Sequence, residues 1–95
     1  MNKVFISQPM GGKTNLEIKK ERRELVKELN KQGFEVLDTI LDLGDNATSL
    51  QYLAKSIEIM NEADIVLFMP NWEKARGCII EHEVALKYGK YVKEL

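Results

Sequence analysis

ADIVLFMP, Ala63 to Pro70, decides the reading of the fold. Asp64 to Met69 is an almost unbroken apolar run, β-branched and aromatic in character and too short for an independent helix. A run of that kind suits a strand covered on both faces, which requires helices on either side of it. The flanking sequence supplies them. Upstream, Thr48 and Gln51 form a capping box, and Leu50, Leu53, Ala54, Ile57 and Met60 recur at helical spacing, so a helix ends near Glu62, with these positions as its core face. Downstream, Pro70 closes the run, Asn71 to Arg76 is a loop, and Gly77 to Gly89 (GCIIEHEVALKYG) is a second helix stopped by glycine before a short last strand, Tyr91 to Glu94.

The first half of the chain repeats the alternation. Lys3 to Ser7 (KVFIS) is a strand and Gln8 to Gly12 a punctuated loop. Thr14 and Glu17 form a capping box for a helix running from about Thr14 to Gln32, with Leu16, Ile18, Leu25, Val26 and Leu29 as its apolar positions and Gly33 as its stop. Phe34 to Leu37 is compatible with a strand, and Asp38 to Ala47 is a loop. The order βαβαβαβ predicts a small doubly wound α/β domain, a parallel sheet of about four strands with three helices. Ligands of such sheets sit beyond the carboxyl ends of the strands, where the strand order reverses. Three segments converge there: the loop from Ser7 to Lys13, the loop from Pro70 to Arg76, and the start of the last helix.

Composition narrows the possibilities. Ninety-five residues, 44% hydrophobic and 31% charged, make one domain with one core. A formal net charge of −1 and the lack of a Lys/Arg stripe give no footprint for nucleic acid or an anionic membrane. No stretch is long and apolar enough for a signal-peptide core or a membrane span, so the expected location is cytoplasmic. One Cys and one His cannot form a disulfide or a structural zinc site. Glu81, His82 and Glu83 point in successive directions about a helix and cannot converge on one ion, so no metal and no cofactor is expected.

SQPMGGKT, Ser7 to Thr14, is one residue short of a phosphate-binding P-loop, with Ser7 in place of the first glycine. The missing glycine and the absence of a strand-end Asp for Mg²⁺ argue against a nucleotide kinase. A milder property remains: Gly11 and Gly12 allow close backbone approach, Thr14 opens a helix whose N-terminus favours anions, and Lys13 adds charge. Trp72 is a plug over the sheet or a stacking surface for a base. Arg76 binds a phosphate or pairs with Glu73 or Asp64.

Glu81 is the residue out of place. On a helical projection it falls within the apolar arc of Cys78, Val84, Ala85 and Tyr88, while Glu83 and Lys87 lie on the opposite side. Burying an unpartnered carboxylate costs several kcal/mol, so Glu81 either meets a donor, such as Tyr88 or a backbone N–H, or lines a ligand cavity. A desolvated carboxylate near a helix start suits nucleophilic attack on an anomeric carbon.

VFISQPMGGKT and ADIVLFMPNWEKARGCIIEHEVALKYGK together resemble the small phage and bacterial proteins related to nucleoside 2-deoxyribosyltransferases, the DUF4406-type branch. The resemblance implies a flavodoxin-like (Rossmann-like) sheet and a Glu nucleophile on C1' of a 2'-deoxynucleoside or its 5'-monophosphate. That Glu corresponds to Glu81, with Gly77 four residues before it. The sugar and phosphate contacts correspond to Ser7, Gln8, Met10, Gly11 and Gly12, with Lys13 and Arg76 available to an anion and Trp72 to the base. Ser56 stands where the superfamily usually carries an Asp on the second helix, and Ala75 where it carries a polar residue. The implied activity is hydrolysis or transfer of the N-glycosidic bond; the alternative is an inactive nucleotide-binding or sensing module. The partners expected are a small nucleoside or nucleotide and further copies of the chain in a homo-oligomer.

Overall fold

The computed structural model describes residues 2–95. Its elements are β1 (Lys3–Ser7), α1 (Asn15–Lys31), β2 (Glu35–Val36), α2 (Ser49–Met60), β3 (Ile65–Phe68), a 3₁₀ turn (Trp72–Lys74), α3 (Arg76–Lys87) and β4 (Tyr91–Glu94). The four strands form one parallel sheet in the order β2-β1-β3-β4. The predicted α/β architecture is therefore present in a small flavodoxin-like arrangement, and the strand order reverses between β1 and β3.

Local chemistry accounts for the helix boundaries. Thr14 and Thr48 each accept from the backbone three residues on, while Glu17 and Gln51 return the bond to the cap backbone. Both capping boxes satisfy amides that a helix start otherwise leaves open. Gly33 and Gly89 end α1 and α3 at φ +90° and +72°. Phe34 N–H donates to the Leu29 carbonyl and Lys90 N–H to the Ala85 carbonyl, the Schellman pattern that needs a left-handed residue. Lys90 also reaches with its ammonium to the Asn61 and Ala63 carbonyls at the end of α2, at 3.0 and 2.8 Å.

Alternation along β1 sorts its side chains between two cores. Val4 and Ile6 pack with Leu29 and Leu67 beneath α1. Phe5 packs on the other face with Met60 of α2 and Ala85 of α3, beside Val66 and Phe68 of β3. Val66, Leu67 and Phe68 are all buried, as expected of a strand covered on both sides.

Two expectations about side chains need correction. Leu50 is 73% exposed, and of the five expected core positions of α2 only Met60 is buried. The helix enters the core by its C-terminal end, where Met60 belongs to the cluster of Phe5 and Val66, and Leu50 lies in its first turn. Tyr88 is 80% exposed, because it leaves helical geometry at the cap of α3 (φ −105°, ψ 19°) and no longer continues the arc that holds Glu81.

Candidate functional site at the ends of β1 and β3

The alternation that places Phe5 against α3 places Ser7 there as well, at the last position of β1. Its hydroxyl donates to Glu81 Oε1 at 2.7 Å, and both residues are buried. Glu81 stands on α3 between Cys78 and Ala85, the two other buried residues of that helix. The donor that the misplaced carboxylate requires is thus Ser7 and not Tyr88. Burial pushes the Glu81 carboxyl up to about 7, against the opposing effect of the Ser7 hydrogen bond. Burial also raises the Cys78 thiol, with the Ser7 hydroxyl acting in the opposite direction and Glu81 adding to the rise. Near neutral pH, Glu81 can accordingly hold or release a proton at small cost, which suits a group that changes charge during a reaction.

Gln8, one residue further, belongs to the α1 side. Its Nε2 donates to the Ile18 carbonyl at 3.1 Å and to Glu21 Oε1 at 2.9 Å. Its Oε1 accepts from Arg22 Nε at 2.7 Å, and Arg22 Nη1 donates to Thr39 Oγ1 at 3.0 Å. Gln8, Arg22 and Thr39 are all buried. This network ties the end of β1 to α1 and to the segment after β2, so the loop that follows Ser7 leaves from a fixed point.

Other residues singled out in the sequence are disposed less uniformly. Met10 is half-buried, and Gly11 and Gly12 are exposed, with Gly12 at φ +75° in the turn closed by Lys13 N–H to the Met10 carbonyl. The Lys13 ammonium lies against Glu21 at 2.9 Å, turned back onto α1. Trp72 stacks on His82 at 4.1 Å and tilts against Phe68 at 5.4 Å, so one ring face is engaged with the protein itself. Arg76 begins α3 and is exposed, and among the described residues no ion pair joins it to Glu73 or Asp64. Gly77 follows in the first turn, with open space where a Cβ would stand. Ser56 is half-buried on α2, and among the described residues no hydrogen bond joins it to Glu81. Among the described residues no cluster of His, Cys, Asp and Glu suited to a metal occurs, and no helix is long and apolar enough to cross a membrane.

Arg22 and Thr39 are not among the residues the sequence motifs single out. The signal for Arg22 was available: it continues the stripe of Ile18, Leu25 and Leu29 on α1, the same kind of misplacement that drew attention to Glu81. Thr39 carried no comparable signal, since it lies in a loop without periodicity.

The family model described as "Domain of unknown function (DUF4406)" matches residues 2–94. The chain belongs to the DUF4406 family. Its match extends from before β1 to the last residue of β4, so both segments that meet at the Ser7–Glu81 pair are within the family's domain. No curated protein matches the chain.

Proposed function

We propose that this DUF4406 protein cleaves or transfers the N-glycosidic bond of a 2'-deoxynucleoside or its 5'-monophosphate, with Glu81 as the nucleophile. The observation that carries this reading is the buried Glu81 carboxylate, held by the Ser7 hydroxyl where two parallel strands end. Glu81 attacks C1', the C1'–N bond breaks with its electron pair going to the base, and the base takes up a proton from solvent. Water or a second base then attacks C1', gives up its proton to solvent and releases the Glu81 carboxylate, which makes the protein a hydrolase or a transferase respectively. A developing positive charge on the sugar favours the ionised carboxylate at the moment of reaction.

The turn from Met10 to Gly12, together with Gly77, is suited to the sugar, Arg76 to a 5'-phosphate, and Trp72 to one wall for the base, while Ser7 positions Glu81 and Gln8 anchors the loop on α1. Lys13 serves the phosphate only after leaving Glu21. A homo-oligomer fits the same reading, supported by the exposed Leu50, Ile79, Ile80 and Leu86 on α2 and α3. The second reading, a nucleotide-binding module without chemistry, draws on Ser56 and Ala75, which supply neither the carboxylate nor the polar group that the resemblance implies.

The test is to incubate the protein with each deoxynucleoside and deoxynucleotide, with and without a second base, measuring free base and exchanged product beside Glu81→Gln. Turnover that Glu81→Gln abolishes is the expected result. Nucleotide binding without turnover would establish the second reading, and turnover retained by Glu81→Gln would remove Glu81 from the role of nucleophile.

A further inference from the structure

A groove of about 420 Å³ lies between α1 and the segment containing β2. Ser7, Gln8 and Glu81 are not among its lining residues, so it is distinct from the Ser7–Glu81 pair and meets the Gln8 network only through Arg22. Val26, Val36 and Leu37 contribute apolar lining, and Lys19, Arg23 and Lys27 contribute positive charge within about two turns of one helix. Arg22 lines it too, and Asp38 is its only acid.

Arg22 makes this more than a basic patch. It is only 5% exposed, and its two hydrogen-bonded side-chain partners, Gln8 and Thr39, are uncharged. Its Nη2 is buried and has no partner among the described residues. Burial pulls the guanidinium down from its ordinary value, with the charge of Asp38 opposing that effect. A buried cation whose close partners are neutral is costly, and a donor left open adds to the cost. The groove therefore has four cationic side chains against one carboxylate and an apolar surface, and Arg22, one of the four, keeps a buried donor open.

We propose that this groove binds a small organic anion, a single phosphate, sulfonate or carboxylate carried on an apolar body, which adds to the single charge of Asp38 beside Arg22. The volume falls within the range of small-molecule sites, about 300–1,000 Å³. The apolar lining and the formal net charge of −1 on the whole chain favour a small anion with an apolar body over a nucleic-acid backbone.

Anilinonaphthalene sulfonate is the probe for this proposal, with phenylnaphthylamine, the same ring system without the sulfonate, as its comparison. Fluorescence titration and amide chemical shifts of the full chain report affinity and place. The sulfonate should bind saturably at one site, with shifts confined to residues 19–27 and 36–40 and to the Arg22 guanidinium N–H signals. The uncharged dye should bind at least about tenfold more weakly, and the double variant Arg23→Glu, Lys27→Glu should lose a similar factor. The exchange Arg23→Lys, Lys27→Arg should retain binding. Equal affinity for the uncharged dye, indifference to charge reversal, or shifts centred on Leu50 and Leu86 would each overturn the proposal. An unmoved Arg22 signal in a saturated complex would overturn the assigned role of that residue. The rim variants leave the buried network intact, so the test does not depend on replacing Arg22.

Discussion

Ser7 and Glu81, 74 residues apart in the chain, are joined by a buried hydrogen bond of 2.7 Å that links the end of β1 to α3. The bond holds a carboxyl group that burial has moved to about 7, and this couples folding stability to pH. The folded protein binds the Glu81 proton more tightly than the unfolded chain, whose carboxyl has an ordinary value near 4.5. Stability from this group is therefore complete below about 4.5 and is lost as pH rises through about 7. The full span corresponds to about 3 kcal/mol. Glu81→Gln removes the titration and keeps an acceptor for Ser7. It should unfold in urea at a higher concentration than the parent at pH 8, and the advantage should shrink toward pH 5.

Ser7→Ala deletes the interaction that opposes the upward shift. The Glu81 carboxyl should then titrate at higher pH, which side-chain carboxyl carbon NMR measures directly. If the proposed chemistry holds, the alkaline rise of kcat/KM should move in the same direction. The loss of the buried hydrogen bond should cost about 1–2 kcal/mol in urea denaturation.

Arg22→Ala should destabilise the protein by about 2–4 kcal/mol, because it opens a cavity beneath α1 and leaves Gln8 Oε1 and Thr39 Oγ1 without their donor. Arg22→Met, which fills the space without a charge, should recover more than half of that loss, since it also removes an unpaired buried cation. Thermal unfolding of the two variants side by side decides the point. Equal losses would mean that hydrogen bonding, and not filled volume, is what the site requires.

Lys90→Met should cost about 1–2 kcal/mol. The ammonium bonds two carbonyls at the C-terminal end of α2, where both hydrogen bonding and the helix dipole favour a cation. Amide exchange should quicken first in Ile59 to Ala63, ahead of the sheet.

Much of the architecture is present in local signals. Thr14 with Glu17 and Thr48 with Gln51 announce two helix starts, Gly33 and Gly89 announce two stops, and Asp64 to Met69 announces a strand buried on both faces. These signals are strong because each is satisfied by the chain within a few residues. The side-chain positions at element ends were less legible. Tyr88 has the spacing of the Glu81 arc but lies beyond the last helical turn, and Leu50 has core spacing on α2 but lies in its first turn, at the end away from the buried Met60.

Glu81 shows the division between the two kinds of information. Helical periodicity by itself determined that a carboxylate lies on the apolar face of α3, and by the same token that Arg22 lies on the apolar stripe of α1. It left open which group meets either charge, because a donor for Glu81 had to come from an element far along the chain. Tertiary structure decided this: parallel pairing of β1 with β3 and the alternation of β1 send Ser7 to α3 and Gln8 to α1. One strand end thereby serves two buried charges on opposite faces of the sheet. The carboxylate receives a hydroxyl, whereas the guanidinium receives only neutral partners and keeps a donor open.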